Sequence, residues 1–343
     1  MSVDATGAIA EAARRLRAGA LVAFPTETVY GLGADALNAD AVARVFAAKG
    51  RPAENPLIVH VSGEEMAERV VDSFGPAARR LAAALWPGPL TLVLEKAGEV
   101  PDAVTAGGPT VAVRCPDHPL ALALIEAFGG PVVGPSANPS GYVSPTTADH
   151  VRSHFDPDNV LVLDGGACRA GIESTVVDLT GGGDGRPARV LRRGVVGADE
   201  VRRVLGDEVL DGAEAFLSGD GDGTVVASPG LLGPHYRPRA RVIVVGRLHE
   251  VDAVLTQSTR GFVLSPPGTP VAVDPPHASA TMPADASGYA AELYAALREA
   301  DDSGADTVVV ALPVDLGLRE SGPGGEDAAV WLAIRERLRR ASR

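Results

Sequence analysis

Lys49 and Arg51 stand two residues apart inside PTETVYGLGADALNADAVARVFAAKGRPAENPLIVH, residues 25–60, where a helix-like run gives way to a strand-like one. Lys49 and Lys96 are the only lysines in a 343-residue chain whose Lys and Arg together number 31. A lysine kept where the chain otherwise uses arginine points to a compact ammonium placed against a phosphoryl oxygen. The alternative is a lysine closing a helix, where a cation is favoured by the helix dipole in any case. Other polar clusters accompany the pair: Thr26, Glu27 and Thr28 after LVAF, Asn55 before LIVHV, Arg114 ending TVAVR, and Ser136, Ala137 and Asn138 after PVVG. Hydroxyls, an amide, an ammonium and guanidiniums are the donors that hold phosphate and carboxylate groups. Each cluster alone is ordinary turn and cap chemistry. Together they sit at strand ends, where open α/β sheets bind ligands.

The elements that must position these groups are legible from periodicity. Ile9, Ala12, Ala13 and Leu16 have helical spacing, and Gly19 stands at a left-handed cap. LVAF then reads as a strand. Asn38 or Asp40 caps a helix with Val42, Val45 and Phe46 on its apolar face, and Gly50 ends it. LIVHV is a strand, and Ser62 with Glu65 has capping-box spacing for a helix running into the seventies. Strands at 90–95, 110–115, 131–134, 159–163, 174–178 and 188–192, with helices at 117–128, 146–154 and 198–205, give a mixed α/β pattern. GGGDG at 181–185 reads as a turn. Residues 211–238 are rich in Gly, Asp, Ser and Pro and read as a linker. Beyond it an alternating βα pattern predicts a smaller α/β unit with a mostly parallel sheet. The expected organisation is a first, site-bearing domain over 1–210, a linker over 211–238 and a C-terminal, Rossmann-like α/β domain over 239–343.

Composition narrows the function. With 45% hydrophobic residues and a net charge of −13, the chain is an ordinary globular protein with an acidic surface. Such a charge argues against nonspecific coating of nucleic acid, which runs on phosphate neutralisation. Cys115 and Cys168 lack metal-type spacing, and a reducing, cytoplasmic setting is expected. No signal-like leader or membrane-length apolar run is expected either. His150 and His154 have i, i+4 spacing, but HVRSH lacks the glutamate of a zinc protease and no third ligand is evident, so no protein-held metal is expected. Neither GxGxxG in a βαβ setting nor GxxxxGK[ST] occurs, which disfavours Rossmann-type and P-loop nucleotide enzymes.

The chain resembles the YrdC-type threonylcarbamoyl-AMP synthases in their longer, two-domain form. The resemblance is carried by PTETVYGLGA, by Lys-Gly-Arg-Pro and Asn-Pro-Leu (49–57), and by TVAVRCPDHP (110–119). It continues through GPSANPSG (134–141), GIESTVVDL (171–179), LRRG (191–194) and SPG with GPHYRP (228–238). The C-terminal hundred residues match in position and length only. The resemblance implies a twisted mixed sheet and an enzyme that condenses L-threonine, bicarbonate or carbon dioxide, and ATP into threonylcarbamoyl-AMP and pyrophosphate. Its product would pass to a transferase that modifies the adenosine beside the anticodon in certain tRNAs. It further implies Thr28, His60, Arg114 and Ser174 for threonine, with Arg114 matching the carboxylate. Arg51, Asn55, Thr110, Ser136, Asn138, Ser144, Arg192 and Tyr236 would hold ATP, with Lys49 and Arg51 as the catalytic pair at the phosphates. A magnesium ion is expected with ATP, although no carboxylate pair in the sequence stands out to hold it.

Two rivals share parts of this pattern. An RNA-binding module of the same fold is opposed by the acidic charge and the absence of a basic stripe or stacking platform, which also argue against direct tRNA binding. A carbamoyl-transfer maturation enzyme would bring Cys-rich zinc segments within a larger chain, against two isolated cysteines here.

Overall fold

The computed structural model describes residues 3–180, 187–206, 209–211, 235–266, 268–312 and 326–343. The GGGDG turn and all but the two ends of the 211–238 linker lie outside these residues. The first unit is one ten-stranded mixed sheet. Its strands are β1 (Leu21–Phe24), β2 (Gly31–Asp35), β3 (Ile58–His60), β4 (Leu90–Glu95), β5 (Thr110–Arg114), β6 (Val132–Val133), β7 (Val160–Val162), β8 (Thr175–Asp178), β9 (Ala188–Arg192) and β10 (Val209–Asp211). Their spatial order is β10-β9-β8-β4-β5-β3-β6-β2-β1-β7. The second unit is a four-stranded sheet, β11 (Arg241–Val245), β12 (Gly261–Ser265), β13 (Ala278–Thr281) and β14 (Thr307–Ala311), in the order β11-β14-β12-β13 with every pair parallel. Both bear out the mixed α/β class expected from the sequence.

Local chemistry fixes the elements nearest the site. Asn38 Oδ1 accepts from the backbone N–H groups of Asp40 and Ala41, starting the helix Ala39–Lys49, and Gly50 stops it at φ 58°. Lys49 is therefore the last helical residue. β2 and β13 escape sequence reading, because GLGAD and ASAT carry no β-branched alternation and only pairing with neighbours makes them strands. The Ser62–Glu65 capping box does not form. The helix there is the single turn Glu64–Ala67 with Gly63 at its start and no side-chain cap, and the Ser62 hydroxyl faces the Met66 sulfur instead.

Apolar packing joins the two units. Val29, Val143 and Ile172 of the first share one buried core with Tyr236, with Tyr289 and Leu293 of the helix Ala286–Asp302, and with Ile334 of the helix Glu326–Ala341. Each such side chain withdrawn from water is worth about 1.5–3 kcal/mol, so the second unit is welded to the first. Gly171 shows how close the contact is. It adopts φ 68°, and a Cβ there would stand 2.3 Å from Ala291 Cα and 2.4 Å from Ala290 O.

Candidate functional site

The parallel register of β3 with β5 places Ile58 beside Ala112 and His60 beside Arg114. Alternation then turns His60 and Arg114 to the same face, with Ile58 and Ala112 one step behind them. A cleft opens over this face, and Thr28, Arg51, Ser136, Ser174, Arg192 and Tyr236 also line it.

On the β1 side, the Thr26 hydroxyl donates to Val29 O at 2.6 Å. The same hydroxyl oxygen accepts from the backbone N–H groups of Thr28 and Val29, both at 3.2 Å, and lies 2.8 Å from Thr28 Oγ1. Thr28 Oγ1 in turn accepts from Arg114 Nη1 at 2.8 Å. One lone pair of the Thr28 oxygen is thereby committed to Arg114, and the residue lines the cleft. Arg114 Nε donates to Gly88 O at 3.2 Å, and Nη2 lies 2.7 Å from Glu27 Oε1. This last contact is an ion pair without aligned hydrogen-bond geometry, since neither Glu27 oxygen has a hydrogen-bond partner among the described residues. Glu27 and Arg114 are both buried, so Arg114 enters the cleft already fixed and charge-balanced.

His60 lies edge-on to the Phe24 ring, with centroids 5.5 Å apart, and its Nδ1 is buried with no hydrogen-bond partner among the described residues. Burial, aided by the positive charge of Arg114, pulls its pKa down to about 3. It is a neutral imidazole at any ordinary pH. Gly134 permits this packing, because a Cβ there would meet His60 Nδ1 at 2.7 Å.

Lys49 and Arg51 divide the phosphate side. Lys49 is buried and donates to the backbone oxygens of Ser136 and Asn138, while its own carbonyl accepts from Ser140 N at 2.8 Å. Burial, reinforced by Arg51, takes its pKa well below the ordinary lysine value. Lys49 is absent from the cleft lining and instead braces the turn that presents Ser136. Arg51 does line the cleft. Its Nε and Nη2 donate to the carbonyls of Asn55 and Pro56 at 3.1 and 2.9 Å, and burial lowers its pKa to about 10, Arg192 adding to the effect.

Asn55, Asn138 and Ser144 stand behind the wall. Asn55 contributes its carbonyl, Asn138 Nδ2 ties down Pro139 O and Tyr142 O, and the Ser144 hydroxyl donates to Glu173 Oε1 at 2.7 Å. Thr110 is half-buried at the start of β5, on the face that carries Ala112 and Arg114 but outside the lining. Ser174 and Arg192 form the far wall. Arg192 Nε donates to Ser174 O and Nη2 to Ser174 Oγ, both at 3.0 Å. Tyr236 closes the rim at φ 63°, its ring stacked on Tyr294 with centroids 5.5 Å apart.

Sequence reasoning missed Glu173, the one carboxylate on the cleft wall among the described residues. It also missed the partners of Glu173 from the second unit, Tyr294 and Arg337. Tyr294 Oη donates to Glu173 Oε2 at 2.9 Å and Arg337 Nε at 3.2 Å. Burial pushes the Glu173 carboxyl up, and Arg337, Arg192 and the Ser144 hydroxyl outweigh it, so the net shift is downward. Glu173 lay inside the GIEST motif, but nothing in the sequence pairs it with an arginine 164 residues away.

These residues do not fit a protein-held magnesium ion. Glu173 is committed on both oxygens, and no group of three or more His, Cys, Asp or Glu among the described residues could hold a metal. His154 and His150 are engaged otherwise. Arg298 Nη1 donates to His154 Nε2 at 3.0 Å, and His150 Nδ1 accepts from Thr146 N at 3.3 Å. Among the described residues no helix is long and apolar enough to cross a membrane.

The chain has extensive likeness to known proteins. Residues 14–194 match a family model described as "Telomere recombination", which covers Sua5, YciO and YrdC proteins. Residues 196–343 match a second, "Threonylcarbamoyl-AMP synthase, C-terminal domain". The threonylcarbamoyl-AMP synthase of Pyrococcus abyssi is 42% identical, over 96% of this chain and 93% of its own. That of Bacillus subtilis is 39% identical, over 97% and 92%. The solved structure of Pyrococcus abyssi Sua5 complexed with L-threonine superposes with a TM-score of 0.82 at 38% identity, over 97% of this chain and 94% of that one. A mixed sheet backed by a second α/β unit is thus shared architecture, and the chain belongs to the two-domain Sua5/YrdC threonylcarbamoyl-AMP synthase family.

Proposed function

We infer that the protein is an L-threonylcarbamoyladenylate synthase, joining L-threonine, bicarbonate or carbon dioxide, and ATP with release of pyrophosphate. The observation that carries this reading is the convergence of three guanidinium groups, Arg51, Arg114 and Arg192, on one cleft in a protein of net charge −13. Local positive charge of that density suits a site that gathers a carboxylate and a triphosphate.

In this reading threonine occupies the Arg114 side. Its carboxylate meets the fixed guanidinium and the Ser174 hydroxyl, its ammonium or hydroxyl donates to Thr28 Oγ1, and the neutral His60 imidazole packs beside it. ATP occupies the Arg51 and Arg192 side under Tyr236, with Ser136 at the turn and Thr110 at the strand edge. Asn55, Asn138, Ser144 and Lys49 serve it from behind the wall by holding the segments that bear these groups. The threonine amine and bicarbonate give a carbamate and water. A carbamate oxygen then bonds to the α-phosphorus while the bond from that phosphorus to the bridging oxygen of pyrophosphate breaks. Catalysis is mainly the alignment of two anions and the neutralisation of their charge. Magnesium, where required, arrives on the triphosphate, and no protein ligand is assigned to it. The product is a mixed anhydride, which a carbamoyl-transfer step onto tRNA adenosine would consume.

Pyrophosphate release measured with threonine and bicarbonate omitted in turn tests the reading. Release should need both. Equal release with no amino acid, or with serine at the threonine rate, overturns it; slower serine turnover is compatible, since one methyl discriminates only about 10–200-fold.

A further inference from the structure

Behind Ser174 lies a residue that none of the motifs singles out. Thr91 of β4 is fully buried, and its Oγ1 lies 2.7 Å from Ser174 Oγ. β4 runs parallel to β8 with Leu90 opposite Thr175 and Thr91 opposite Val176, so Thr91 is set into the sheet beneath the cleft wall. Val93 and Val176 belong to the small apolar cluster there, together with Ile58, Ala112 and Leu191. Ser174 Oγ is the only hydrogen-bond partner of the Thr91 side chain among the described residues.

The protons in this pair can be counted. A guanidinium only donates, so Ser174 Oγ accepts from Arg192 Nη2 at 3.0 Å. If Ser174 then gave its proton to Thr91, the Thr91 proton would be stranded in an apolar layer, the costly case for a buried donor. The favourable arrangement has Thr91 donating to Ser174. Both lone pairs of Ser174 are then filled, by Arg192 and by Thr91. Its own O–H has no partner in the wall and is left for the cleft, which Ser174 lines.

We propose that Thr91 is a positioning residue that fixes the Ser174 hydroxyl as a hydrogen-bond donor into the cleft, so that this wall takes an anionic oxygen of threonine. Ser174 and Arg114 therefore take the carboxylate end of the threonine zwitterion together. This rests on the reading that the cleft binds threonine, and adds the residue that sets its polarity.

The test compares Thr91→Val, which keeps the shape and removes the hydroxyl, with Thr91→Ser, which keeps the hydroxyl, in the full-length chain. Thr91→Val should raise the threonine KM about 5- to 10-fold, the range of one hydrogen bond, with the ATP KM unchanged within two-fold. Thr91→Ser should restore the wild-type value. In a Ser174→Ala background Thr91→Val should add no further loss of threonine affinity, a result that a packing role would not give. Should Thr91→Val fail to fold, Thr91→Cys, a weak donor of similar size, replaces it in the same comparison. An unchanged threonine KM, a loss that persists in the Ser174→Ala background, or a shift confined to the ATP KM overturns the proposal. A wild-type protein without threonine-dependent turnover instead overturns the functional reading beneath it.

Discussion

Arg337 Nε lies 3.2 Å from Glu173 Oε2, with the two side chains only 1% and 10% exposed. The last helix of the chain thus neutralises a carboxylate on the wall of a cleft built by the first unit. Arg337 also donates to Arg193 O and sits over the Tyr236 ring at 5.7 Å. One guanidinium therefore ties together the GIEST segment, the strand end at LRRG and the rim tyrosine. Removing one partner of such a pair leaves a buried charge unanswered.

Arg337→Met should accordingly destabilise the protein by about 3–5 kcal/mol. Glu173→Gln in the same chain should recover part of that loss, because the stranded charge is gone. Urea denaturation of the single and double variants measures both. Additive effects of the two substitutions would show that the ion pair contributes nothing.

Lys49 tests the bracing role. Its terminal nitrogen holds the backbone oxygens of Ser136 and Asn138, contacts that a larger, planar guanidinium would have to make in a different geometry. Both Lys49→Ala and Lys49→Arg should lower turnover, by about 10²–10³ for the alanine if the turn carries a group needed at developing charge. Steady-state pyrophosphate release decides it. Near-normal turnover of Lys49→Arg would mean that the turn tolerates a different brace.

Cutting the chain after residue 210 should leave Val29, Val143 and Ile172 uncovered and Glu173 without Tyr294 and Arg337. The fragment should bind ATP more weakly than the full chain and show increased exposed apolar surface by dye binding. A fragment with the ATP KM of the full chain would show that the second unit does not support the site. Gly171→Ala probes the same junction more gently. The helix Ala286–Asp302 would have to retreat from the added Cβ, so the melting temperature should fall while Gly166→Ala, where nothing lies within 4 Å of the Cβ, should show only the smaller cost of its positive φ.

Histidine titration sets the acid limit. Burial holds His60 at about 3 and His154 and His235 at about 4, with Arg114 adding to the first, Arg298 to the second and Arg51 to the third. All three lie below the value near 6.5 expected in the unfolded chain. The unfolded state then binds more protons than the folded one between about pH 6.5 and 4, so stability rises with pH across that window and is lost as pH falls. His154→Gln keeps an acceptor for Arg298 and removes one titrating site. It should flatten the rise of stability with pH in the window. A slope equal to that of the wild type would show that His154 protonates as readily when folded.

The mixed α/β class, the helix that ends at Lys49 and the strand-end clusters were legible in the amino-acid order, because capping, alternation and glycine stops act over a few residues. The PTET, Lys-x-Arg, Ser-x-Asn and GIEST motifs carried the family for the same reason: each is a local arrangement that the chain writes in order. Which groups face the cleft was settled by the folded arrangement. Lys49, Asn55, Asn138 and Ser144 lie behind it, whereas Arg51, Arg114 and Arg192 line it, because depth depends on how strands β3, β5, β8 and β9 align and on what packs behind them. Likewise the polarity of Ser174 follows from Thr91, 83 residues away, and the charge state of Glu173 from Arg337, 164 residues away. Buried hydrogen bonds and ion pairs join groups by proximity in space, and a separation of that size leaves no periodicity in the sequence to reveal it.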